Sequence, residues 1–390
     1  TVTGLVSQQN SESKSVSSKG GAQTTDFKIR ADEYDENRHF FLAQYFRDNY
    51  DNFASKLPYV SSGIQITRIE VWITNKQSNY SQSRNLVAFA DIGESEVMTS
   101  GHWLTNNYPP VPSNQSNNLY ATLTTQHAAA RDISMASNEL DGITGFAGSI
   151  DYEKLQSARK LSQTEYSLNT ALGYVSLNFN LQPDEILAVA FEYTYNGVTY
   201  QVGEFASDLT DNTQTLFVKT LKNTSNTPKM GNWDLMMKNV YSLGATTTQK
   251  EKFKLDIKYQ SDSAGVYVSY LPDPAHKNTK LLKVMNLDRL DANNKPNPNG
   301  QFDYVDGYTI SKGRIYFPVA EPFGSHLRKY LNNKELADRY CFEELYDSTK
   351  TKAKQIAEKD KFLLTGEYQG NSGAEISLGA MNVPQGSVTV

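Results

Sequence analysis

A single cysteine in 390 residues is the first scarcity in this sequence. Cys341 can form no intrachain disulfide and no cysteine-based metal centre. A reactive thiol needs a base beside it, and His326, the nearest histidine in the chain, brings no other sign of activation, so an inert buried thiol on a helix is expected. Long apolar runs are missing as well. No stretch of about 18 apolar residues occurs, and no membrane-spanning helix is expected. Basic charge is in short supply: 38 Lys and Arg stand against 43 Asp and Glu, a net charge of −5. Nucleic-acid binding, which needs clustered cations, is disfavoured. The basic stretch from Lys350 to Lys361 is broken by Glu358 and Asp360 and reads as a solvated helix face.

The usual catalytic signatures are absent too. There is no Gly-x-Ser-x-Gly elbow, no His-Glu-x-x-His pair and no phosphate-binding glycine loop ending in Lys-Ser or Lys-Thr. His39, His102, His127, His276 and His326 are scattered without ligand spacing. Ser372, in Gly370-Asn-Ser-Gly373, has no accompanying base and reads as a turn. No enzymatic activity is expected, and no catalytic or cofactor-binding residue is assigned.

What the chain does hold is aromatic: 24 Tyr and 17 Phe. Such residues suit a pleated, half-buried surface and favour sheets over helix bundles. The length exceeds what one hydrophobic core serves, so two or three packed units are expected. The fold class is α+β, mainly antiparallel sheets in sandwich-like units with a few helices. Residues 1–26 read as a strand end and a loop, and 27–245 as a mixed β-rich domain with an N-terminal helix. Residues 246–324 read as a β domain with an Asn/Pro-rich loop, 325–361 as a helical segment, and 362–390 as strands.

Within these units the patterns are specific. Leu42, Phe46, Tyr50, Phe53 and Leu57 recur at helical spacing and predict a helix from about Asp32 to Ser55. Ile64–Ile73 alternates as a strand, with residues 65, 67, 69, 71 and 73 on one side and Ile64, Ile66 and Trp72 on the other. A short helix is predicted from Asp151 to Leu161. Asn196-Gly197 between two apolar runs predicts a hairpin from Ile186 to Phe205, with Val175–Leu181 as a third antiparallel neighbour. Lys252–Tyr259 sets Phe253, Leu255, Ile257 and Tyr259 on one face, with 266–271 as its partner. A pair of strands flanks Ser311-Lys-Gly313, helices run from 325 to 359, and strands follow at 362–368 and 374–378. The polar run from 104 to 118 predicts a loop.

One constellation points towards a cation. Asp291, Asn293, Asn299 and Asp303 sit in an oxygen-rich, glycine-containing loop such as Ca²⁺ uses. Against it, Lys295 occupies a ligand-like place, two prolines stiffen the loop, and no bidentate Glu closes it; a loop of Asx turns is the competing expectation. No other cofactor is implied.

The first residues, Thr1-Val-Thr-Gly-Leu-Val6, and the last, Gly386-Ser-Val-Thr-Val390, read as strands cut from a longer polypeptide. The first lack the basic start and apolar core of a signal peptide.

Five segments together resemble a known family. They are Arg30-Ala-Asp-Glu-Tyr-Asp-Glu-Asn-Arg-His-Phe-Phe41, the run from Trp233 to Ala245 (WDLMMKNVYSLGA), Leu281–Leu290 (LLKVMNLDRL), Arg314–Gly324 (RIYFPVAEPFG) and Tyr368–Val388. In these the chain resembles an internal part of the SprA/Sov family, outer-membrane translocons of the Bacteroidota type IX secretion system. The resemblance implies a soluble insertion of a giant β-barrel, with passage of folded cargo across the outer membrane as its task and links to gliding motility. The implied partners are a PorV-type outer-membrane barrel, a periplasmic plug protein and secreted cargo with C-terminal signal domains. Long excursions of outer-membrane barrels lie outside the cell, so the extracellular face is expected rather than the periplasmic one. A surface adhesin or carbohydrate-binding module, with Trp103 and Trp233 as stacking platforms, is the alternative.

Overall fold

The computed structural model describes residues 24–76, 83–96, 103–105, 110–209, 211–261 and 265–370. The strands expected at 1–6, 374–378 and 386–390, His102 and the turn around Ser372 lie outside the described residues. In chain order the strands are β1 (Thr24–Arg30), β2 (His39–Phe41), β3 (Ile64–Ile73), β4 (Ser83–Phe89), β5 (Tyr152–Lys160), β6 (Tyr166–Asn169), β7 (Tyr174–Leu177) and β8 (Leu187–Tyr195). After them come β9 (Val198–Val202), β10 (Leu216–Lys222), β11 (Val240–Ser242), β12 (Lys254–Gln260), β13 (Tyr267–Val268), β14 (Ile310–Ser311), β15 (Arg314–Tyr316) and β16 (Phe362–Gln369). The helices are α1 (Gln44–Phe53), α2 (Leu119–Thr125), α3 (Ala136–Leu140), α4 (Leu281–Val284), α5 (Ser325–Leu331), α6 (Lys334–Tyr340), α7 (Glu344–Asp347) and α8 (Lys350–Lys354). The class is α+β with antiparallel pairing throughout, save for the parallel β4–β10 pair.

Five strands close on themselves in the order β10-β4-β5-β3-β8, because the first half of β8 pairs with β10. The second half of β8 pairs instead with β9 through the expected hairpin, whose turn residues Asn196 and Gly197 take φ of 51° and 78°. A barrel this narrow has little interior. Ala88, Ala158, Ala188 and Ala190 keep the walls close, while Trp72 and Phe205 fill what remains. The outward sides of the same strands (Val87, Phe89, Val189, Phe191, Phe217) belong to a larger core shared with α1 and the β2-β7-β6 sheet. A second core lies under the β1-β16-β12-β13 sheet and is covered by α4 to α8. The short β11-β15-β14 sheet stands between the two. Tyr316 points into the first core, Ile315 and Phe317 into the second.

Four expectations need correction. The helix predicted from Asp32 begins only at Gln44; residues 31–33 form one 3₁₀ turn and His39–Phe41 a strand. Every residue from Arg38 to Ala43 is buried, which a helix with one solvated face cannot achieve but a covered strand can. Asp151–Leu161 is strand β5, not helix. Ser157, at φ 50°, makes a bulge whose N–H meets Asn85 Oδ1, and the extra residue produces the three-residue spacing of Leu155 and Ala158 that mimics a helix. A second bulge, between Ile66 and Arg68, switches the parity of β3. Ile64 and Ile66 therefore share a core with Val71 and Ile73 rather than opposing them. Finally, β7 pairs with β2 and β6 instead of joining the hairpin as a third neighbour. Elsewhere β12, β14, β15, β16 and the helices after 325 lie where the patterns placed them, and β1 starts at Thr24, inside the stretch read as loop.

Candidate functional site

Strand β12 alternates as its sequence requires, with Leu255, Ile257 and Tyr259 buried in the second core. Its neighbour β13 is short and pairs only with Tyr259 and Gln260. Alongside Lys254–Lys258 the sheet has no strand on that side among the described residues. There the Asn/Pro-rich loop leans against the sheet and leaves an open cleft of about 790 Å³. Its aromatic end is Phe253, with the rings of Phe302 and Tyr304 centred 5.2 and 5.5 Å away. Lys254, Asp256, Lys258, Thr365 and Glu367 line the sheet side.

The loop is held by its own carboxylates. Asp291 Oδ1 accepts the Asn293 and Lys295 N–H groups at 2.8 and 3.0 Å. Asp288 accepts from Asn299 and Gly300 at 2.9 and 3.0 Å, and Asn299 Oδ1 from Gln301 at 2.9 Å. Asp303 accepts from Arg289 and Leu290 at 2.6 and 3.1 Å. The Asp291–Asn293 and Asn299–Gln301 bonds are Asx-type turns, while Asp288 and Asp303 clip together residues 11 to 14 positions apart. Asp291, Asn299 and Asp303 all line the cleft, whereas Asn293 is exposed on the loop. Among the described residues no group of three or more His, Cys, Asp or Glu converges on a point where a metal could sit. Burial, together with nearby Asp288, pushes the Asp303 carboxyl up to about 6 against the pull of its backbone donors.

A second constellation escaped the sequence reading. His39 Nδ1 lies 2.7 Å from Ser176 Oγ, and its Nε2 lies 3.2 Å from Asp35 Oδ2. Serine, imidazole and carboxylate in line have the outline of a nucleophilic triad. Its surroundings give it another part. His39 and Ser176 are 1% and 5% exposed, and Ser176 Oγ leads on to Tyr316 Oη at 3.5 Å in the core. Asp35 is further claimed by Arg314 Nε at 2.7 Å and Arg38 at 3.8 Å. The group ties β2 and β7 to β15. No sequence signal foretold it, since Ser176 lies 137 positions from His39.

The remaining candidates are placed as follows. Cys341 is buried at the end of α6, and burial pushes its thiol up to about 12, away from the reactive thiolate. His127 pairs with Glu139, His276 with Asp273, and His326 Nε2 with the Val284 carbonyl. Trp103 and Trp233 are 7% and 4% exposed, and Trp233 Nε1 donates to the Tyr346 carbonyl at 2.6 Å, so both are core residues rather than platforms.

Fold and cleft define an antiparallel α+β chain with a solvent-open, polar recess at a sheet edge. No helix among the described residues is long and apolar enough to cross a membrane. Residues 2–100, about a quarter of the chain, match the sequence model of the SprA_N family, described as motility related/secretion protein. Over those residues the chain is similar to SprA-related proteins, and that description supports a role in secretion or motility. No curated protein matches it.

Proposed function

We propose that this chain is a non-catalytic scaffold and binding segment of a type IX secretion translocon of the SprA kind, standing at the extracellular face of the outer membrane. The family match over residues 2–100 carries the reading. Segments beyond residue 100 that resemble the same family support it, because they build the second core: Leu281–Leu290 contains α4, and Arg314–Gly324 contains β15. Its partners are then a PorV-type barrel, a periplasmic plug and folded cargo bearing C-terminal signal domains. Deleting this region from the full-length gene tests the reading. We expect cargo to be retained in the periplasm and colony spreading to be lost; normal secretion would overturn it. The adhesin alternative rested on Trp103 and Trp233, and both are buried.

A further inference from the structure

We propose that the cleft beside β12 binds an extended polypeptide segment carrying a lysine or arginine a few residues from an apolar side chain. Three features of the site select that ligand. First, the cleft offers main chain. Gln260 N–H donates to the Lys361 carbonyl at 2.9 Å, so in this antiparallel register residues 254, 256 and 258 turn their N–H and C=O groups towards β16. Those of Leu255 then turn the other way, towards the cleft that Leu255 helps to line, and have no partner among the described residues. Ile257 is fully buried and β12 is in contact with α4, which leaves the Leu255 rung as the open one. An extended peptide can use that rung as a short strand addition.

Second, the charge is unequal. Six carboxylates (Asp26, Glu251, Asp256, Asp291, Asp303 and Glu367) line the cleft with four lysines, of which Lys254 is paired with Glu367 at 2.6 Å and Lys280 donates to the Gly300 carbonyl. Asp256 is the sharpest element: Oδ2 accepts from Ser269, while Oδ1 is buried with no partner. A buried carboxylate oxygen without a donor is costly, and a ligand ammonium or guanidinium relieves it. Third, Phe253 stands three residues from Asp256, roughly 10 Å along an extended strand. The two lie on opposite faces of the strand, so an added strand with alternating side chains offers an apolar one to the aromatic end and a cation to the carboxylate.

The secretion reading supplies only the biological source of such a segment, so the two can fail separately: the peptide assay uses the isolated chain, the deletion experiment the cell. Fluorescence anisotropy of the 390-residue chain with a labelled ten-residue peptide of alternating Lys and Val or Tyr is the test, its Glu-for-Lys counterpart the control. We expect saturable, salt-sensitive binding of the lysine peptide, no binding of the glutamate peptide, and about tenfold weaker binding for Asp256→Asn. Glu251→Gln, at an exposed position, gives a second variant if Asp256→Asn melts early. Equal binding of both peptides, full affinity in both variants, preference for a neutral hexasaccharide, or a dimer that the lysine peptide does not displace would each overturn the proposal.

Discussion

Gly173 and His39 show how much a single position carries. Gly173 turns between β6 and β7 at φ +68°, and a Cβ there would lie 2.0 Å from the ring of Phe46, which itself packs against Phe191 and Tyr193. Both the left-handed backbone and the ring contact demand glycine. Gly173→Ala should cost about 2–4 kcal/mol, read from the urea midpoint. His39 acts through protons. Burial holds its imidazole below the ordinary range although Asp35 pulls the other way, and Arg314 and Arg38 add repulsion. Burial would raise Asp35, but the bonds from His39 and Arg314 outweigh it and hold that carboxyl well below the usual range. A depressed folded-state value means stability present above the unfolded value and lost as pH falls beneath it. Stability should therefore decline as pH drops below about 6.5, the unfolded histidine value, and again below about 3.9, that of aspartate. His39→Gln should remove the first decline in urea titrations run from pH 8 to 3 and shrink the second, because Arg314 alone then holds Asp35 low. Asp303 has the opposite sign. Raised to about 6, it contributes stability below the unfolded aspartate value that is lost as pH rises through 6, and Asp303→Asn should flatten that window. At this scale the sequence reading located Asp303 but missed the His39 group, because Asp35, His39, Ser176 and Arg314 meet only after two sheets, β2-β7-β6 and β11-β15-β14, have formed and packed together.

At the scale of elements, bulges and buried charge decide most. The alternation of β12 and the Asn196-Gly197 hairpin were legible, since each local pattern agrees with its tertiary setting. Strand β5 was not, because its bulge converts a period of two into an apparent helical spacing. The chain does not announce where an extra residue will be absorbed. The core between the barrel and α1 also hides a charge pair. Lys219 Nζ on β10 lies 2.6 Å from Glu94 Oε1 and 2.8 Å from the Ala90 carbonyl, and the Gln44 N–H at the start of α1 reaches Glu94 at 3.2 Å. Lys219 and Glu94 are 0% and 1% exposed. Removing one partner strands the other in the core, so Lys219→Met should destabilise by about 3–5 kcal/mol. Lys219→Met with Glu94→Leu should recover a large part of that loss, and a double-mutant cycle on equilibrium unfolding measures the recovery.

For the whole molecule, the telling fact is that β1 and β16 are neighbours although they lie at opposite ends of the described chain. Phe27 and Ile29 enter the second core from β1, and Gly366 leaves room for the ring of Phe27. No short-range pattern reveals a pairing across more than 330 positions, and the sequence reading places β16 but neither β1 nor its contact with it. A chain starting at residue 31 should keep amide protection in β3 and β8 while losing it in β12 and β16, as hydrogen exchange would record. The same pairing has a mechanical meaning. Thr24 faces Gln369 at one end of a ladder of seven residue pairs that runs to Arg30 and Leu363. Tension arriving through the chain before Thr24 and after Gln369 meets the ladder at that end. It peels β1 from β16 one rung at a time, where strands pulled from opposite ends would load all the rungs together. The second core is thus joined to its surroundings by a zipper, and a modest pull is enough to start it.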